Sequence, residues 1–96
     1  MATYLVRIVL HQVDIKSHPD YVTLHQRMRL AHFSTQIQAA TGIWYHLPPA
    51  EYIINTVETI VQVHDKAKKI ADSVDPDNGV LVVEAPHQRF SGLLPV

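Results

Sequence analysis

A chain of 96 residues is the size of one domain, and so small a core leaves little net stability unless a partner chain adds to it; a two-domain enzyme is excluded and oligomerisation is expected. Hydrophobic residues make up 47 % and charged residues 18 %, with three Gly and six Pro, which is a globular composition and excludes a disordered chain. With no Cys there is no disulfide framework or thiolate nucleophile, and a net charge of −1 is too balanced for a protein that holds phosphate by bulk attraction.

Residues 4–12 alternate as a strand, with Tyr4, Val6, Ile8 and Leu10 on a wholly apolar face and Leu5, Arg7, Val9 and His11 on the other. Arg7 interrupts this first apolar run and no basic leader precedes it, so neither a signal peptide nor a membrane span is expected, and the expected location is the cytoplasm. Ser17-His18-Pro19-Asp20 has the form of a capping box with Pro in the first turn, which predicts a helix to about residue 32 with Tyr21, Leu24, Met28 and Ala31 as its buried stripe. Residues 33–40 read as a second strand, with Gln36 and Gln38 alternating against Ile37 and Ala39, and Thr41-Gly42 makes a turn.

A third strand starts at Ile43, bends where Pro48-Pro49 removes two ladder donors, and resumes over residues 51–55. Asn55-x-x-Glu58 predicts the cap of a second helix whose inner stripe is Val57, Ile60, His64, Ala67, Ala71 and Val74, widened by Val61 and Ile70. Asp75-Pro76-Asp77-Asn78-Gly79 ends that helix, residues 80–85 form a β-branched strand, and residues 87–96 offer a fifth.

The order β-α-β-β-α-β over residues 1–96 predicts a single α+β domain, a ferredoxin-like sandwich with two helices on one face of a four-stranded antiparallel sheet. The other face holds Leu5 and Val9, and one alternation of the third strand adds Trp44. So much adjacent apolar surface predicts a homodimer with Leu5, Val9 and Trp44 in the interface, and the tail around residues 90–94 is placed to exchange strands.

Arg7, Lys16, Arg27 and Arg29 outnumber Asp14 and Asp20 in residues 1–32, whereas residues 33–96 are net acidic, so an anion-binding surface is expected in the first third. His11, His18, His25 and His32 recur every seven residues. On a helix that interval spans about 10 Å, too far for two imidazoles to share one metal, and no metal site or other cofactor is expected. His64 inside the second helix's stripe reads as a half-buried packing residue, and His32 near a helix C-terminus as a complement to the dipole. Asp14 and Glu84 are the only carboxylates near strand ends, too few for a two-metal nuclease. Trp44-Tyr45-His46 on a strand is similar to a base-stacking platform.

The run Tyr4-Leu5-Val6-Arg7-Ile8-Val9-Leu10-His11, Leu24-His25-x-x-Met28 followed by Phe33-Ser34, and Trp44-Tyr45-His46-Leu47-Pro48-x-Ala50-Glu51-Tyr52 resemble the small bacterial proteins grouped with the antitoxin GhoS. The resemblance implies a ferredoxin-like fold shared with VapD and the CRISPR-adaptation nuclease, and an endoribonuclease of the type V antitoxin kind. Where the CRISPR-adaptation relatives carry an acid on strand one, this chain reads Leu10-His11-Gln12, which points away from a metal-dependent mechanism.

The first expectation is thus a dimeric RNA-associated protein in which Arg27, Arg29 and His25 hold phosphate and His11 or Arg7 polarises the scissile group or acts as general acid. A second is a dimeric α+β barrel that binds a small molecule between sheets, with Arg7, His11 and Trp44 as polar handles. A third is a non-catalytic interaction module.

Overall fold

The structure is a computed structural model that describes residues 1–13 and 18–96. Its elements are β1 (Ala2–Leu10), α1 (Pro19–Leu30), β2 (Gln36–Gln38), β3 (Trp44–His46), β4 (Glu51–Thr56), α2 (Ile60–Val74) and β5 (Asn78–Glu84). The chain is α+β, with β1 between β4 and β5 in an antiparallel three-stranded sheet and β2 paired to β3 in a separate hairpin. No helix among the described residues is long and apolar enough to cross a membrane.

β1 alternates as its sequence demands. Tyr4, Val6, Ile8 and Leu10 are buried in one cluster with Tyr21, Leu24 and Met28 of α1 and Val63, Ala67 and Ala71 of α2. Pro19 opens α1 and the His18 side chain caps it, Nδ1 accepting from Asp20 N at 3.1 Å. The Ser17 of the expected capping box, with Asp14 and Lys16, lies outside the described residues.

The expected four-stranded sheet is divided. Residues 33–40 give strand only at β2, although Ser34 and Ile53 exchange backbone hydrogen bonds of 2.8 and 2.9 Å and so tie this segment to β4. The single bent third strand is two strands with different partners, because Pro48-Pro49 cannot donate and Ala50 turns through a left-handed φ of 66°. The tail returns along β3, where His46 N donates to Leu94 O and Val96 N to Trp44 O.

α2 starts at a different cap from the one predicted. Thr59 and Gln62 form a reciprocal capping box, Thr59 Oγ1 accepting from Gln62 N and Gln62 Oε1 from Thr59 N, while Asn55 still belongs to β4. The inner stripe is correspondingly rotated. Val63, Ala67 and Ala71 are buried, whereas Val57, Ile60 and Val61 are exposed and His64 is at the margin. Small side chains one helical turn apart let α2 lie close against the sheet, and that close approach fixes its rotation.

Candidate functional site

A polar groove runs between the end of α1 and the β2–β3 hairpin. In the hairpin register Gln36 faces His46 and Gln38 faces Trp44, so these four side chains share one side. Ile37 and Tyr45 take the other, with Ile37 buried and the Tyr45 ring edge-on to Phe90 at 5.4 Å. α1 ends in a Schellman turn, His32 N bonding Arg29 O and Phe33 N bonding Met28 O, and His32 sits at the left-handed position with φ 72°. That turn puts Arg29 and His32 on one wall of the groove and His46 on the facing wall, around a volume of about 420 Å³ floored by Ser34, Thr35 and Gln36. Beyond His32 and Gln36 the groove continues past Gln38, Trp44 and Asn55 to Thr3.

The electrostatics favour an anion. Arg29 is the one charged side chain among the described lining residues, and no carboxylate lines the groove. Arg29, His32 and His46 make no side-chain hydrogen bond or ion pair with any described residue, so their donors are available to a ligand. Behind Phe33, which forms part of the wall, Lys66 lies 5.9 Å above the ring and pairs with Glu58 at 2.6 Å. The Lys66 hydrogen bond holds the Glu58 carboxyl below its usual range. Among the described residues no group of three His, Asp or Glu could hold a metal ion.

Of the expected phosphate ligands only Arg29 lines this groove. Arg27 is two residues away, about 200° around the helix, and its Nη1 donates to Ser73 O and Oγ of α2 at 2.9 Å each. His25 turns inward to the Tyr52 hydroxyl at 2.5 Å. Burial lowers the His25 pKa and raises that of Tyr52 well above its ordinary value, Tyr21 adding to the latter, so both groups are held neutral.

His11 and Arg7 stand apart from the groove and from each other. The His11 ring lies over Gly79, where an added Cβ would come within 3.5 Å of Nε2. Arg7 crosses the open sheet face to Glu51 at 3.8 Å. The groove meets β1 at Thr3, and eight residues of strand, about 26 Å at 3.3 Å each, separate that point from His11. The small-molecule handles also fail to converge, since Arg7 lines a shallow hollow with Leu5, Glu51, Leu81 and Val83 while Trp44 lines the groove.

Leu5 and Val9 do lie on the open face, but β4 and β5 supply their neighbours. Leu5 is opposite Ile53 on one side and Val83 on the other, and Val9, Leu81 and Val83 are 39 %, 60 % and 43 % exposed. Trp44 is displaced to the hairpin because β3 pairs with β2 and never joins the main sheet. His32 and His46, which the sequence offered as a dipole complement and as part of a stacking run, are the additions the structure makes to the site. Their only signal in sequence was residue type, since 14 positions and a change of chain direction separate them. No protein family, no curated protein and no solved structure matches the chain.

Proposed function

We propose that this protein binds single-stranded RNA in the groove between α1 and the β2–β3 hairpin and works as a homodimer through its open sheet face. The observation that carries this reading is that Arg29, His32 and His46 face one carboxylate-free groove with no described protein partner. Arg29 takes a phosphate, Trp44, 47 % exposed at the groove's far part, stacks on a base, and the Gln36 amide meets a base edge or ribose. The groove is suited to a splayed single strand, because its ring and amides need unstacked bases.

The order β5-β1-β4, with the Ser34 segment bridged to β4's far edge, supports the ferredoxin-like plan, and the resemblance to the GhoS group supports RNA as the ligand. A cytoplasmic location accompanies that ligand. For the dimer, Leu5, Val9, Ile53, Leu81 and Val83 form a contiguous apolar field crossed by the Arg7–Glu51 pair. Under a twofold axis that pair is complementary to its own copy, and a standard interface buries about 800 Å² of each partner.

Trp44 is the chain's one tryptophan, so its fluorescence reports the groove directly. Titration with a single-stranded oligoribonucleotide is expected to quench it, with affinity falling as salt rises and the salt slope shallower by about one in Arg29→Ala. No quench and no binding at low salt, or an Arg29→Ala variant that binds like the parent, would sink the proposal.

A further inference from the structure

We propose that His32 and His46 are the acid–base pair of a metal-independent RNA cleavage in this groove, an inference that rests on the groove holding a single RNA strand. The two imidazoles come from different elements, one at the end of α1 and one on β3, yet line the same volume with Arg29 beside them. Histidine ordinarily exchanges protons between about pH 5 and 8, so a pair of them can supply both base and acid near neutrality. No described protein group holds a nitrogen of either ring, so both rings are open to a ligand in the groove.

The backbone at His32 gives a second, independent observation. The residue occupies the left-handed position of the Schellman turn, φ 72°, where glycine closes the same turn without a Cβ penalty. A non-glycine residue kept in this backbone conformation where it lines the groove fits a functional use, as left-handed residues other than glycine commonly do at sites.

In the reaction one imidazole removes the proton of a ribose 2′-hydroxyl as O2′ forms its bond to the adjacent phosphorus. The P–O5′ bond breaks, and the other imidazole, protonated, delivers its proton to the departing 5′-oxygen. The products are a 2′,3′-cyclic phosphate and a 5′-hydroxyl. No oxidant, reductant or metal enters the balance, and the two rings end with exchanged protonation states that water resets. Arg29 faces the phosphorus and offsets the charge that gathers on its oxygens.

The test uses the full chain in EDTA with an end-labelled oligoribonucleotide, Trp44 quenching for binding and mass spectrometry for the new ends. Expected are cyclic-phosphate ends, a fully 2′-deoxy analogue that binds uncut, and a cleavage rate at saturating RNA slowed about 100-fold in His46→Gln and in His32→Gly. His32→Gly relaxes the left-handed backbone, so its loss of cleavage is not a folding defect. Bound RNA that stays whole, ends bearing a 3′-hydroxyl, or full cleavage by either variant overturns the acid–base pair and leaves the groove as a binding site. RNA that is neither bound nor cut overturns the pair and the binding site together.

Discussion

Tyr21 shows how one hydroxyl can tie a helix to a strand. It is fully buried, and its oxygen accepts the Leu10 backbone N–H at 3.0 Å where β1 ends. Tyr21→Phe would strand that N–H away from water, so urea denaturation is expected to show a loss of about 1–3 kcal/mol. His25, against Tyr52, adds a pH dependence whose sign follows from its burial. The folded ring's pKa lies below the ordinary 6.5, so as pH falls through about 6.5 the unfolded chain takes up the proton first and stability declines. Comparison of urea midpoints at about pH 7.5 and 5.5 is expected to show a smaller acid loss in His25→Gln than in the parent. Equal losses would rule out His25 as a source of it.

At the scale of elements, the ends of the helices do the positioning. The Thr59–Gln62 capping box starts α2 only four residues after β4 crosses Asn55, which turns the chain tightly at the edge of the sheet. Thr59→Ala removes the acceptor for Gln62 N and is expected to cost about 1 kcal/mol, read as a lower thermal midpoint with the same helical circular-dichroism signal. The Schellman turn of α1 acts at the other end, because it swings the chain from the helix into the Ser34–Ile53 pairing and brings His32 to the groove that His46 of β3 also lines. The sequence placed the α2 cap at Asn55, but pairing of β1 with β4 runs on to Ala2 opposite Thr56, so Asn55 stays in the strand and the cap falls at Thr59.

The whole molecule presents two surfaces. The polar groove lies at one edge, and the open sheet face presents Leu5, Val9, Ile53, Leu81 and Val83. Leu81 is 60 % exposed in the single chain, so Leu81→Glu leaves the monomer's core intact while placing a carboxylate on each side of the proposed twofold. Sedimentation is expected to show a parent dimer at tens of micromolar and a monomeric Leu81→Glu variant of unchanged fold. A monomeric parent, or a variant that dimerises as well as the parent, would remove the open face as an interface.

Local patterning settled what depends on near neighbours along the chain. The β1 alternation, the Tyr21–Leu24–Met28 stripe and the break at Pro48-Pro49 are all readable, because period, side-chain volume and a missing N–H act within a few residues. The Arg29 wall was readable only as charge, since two arginines two positions apart on a helix must diverge and one of them had to be spent on α2. What tertiary structure alone decided is the partner of β3 and the rotation of α2. Pairing with β2 and the returning tail carried Trp44 and His46 away from the open face and across from His32, and close approach of Ala67 and Ala71 to the sheet turned Ile60 and Val61 outward. Both outcomes rest on contacts between segments far apart in sequence, for which a strand's alternation fits either partner and a helix's period fits more than one rotation.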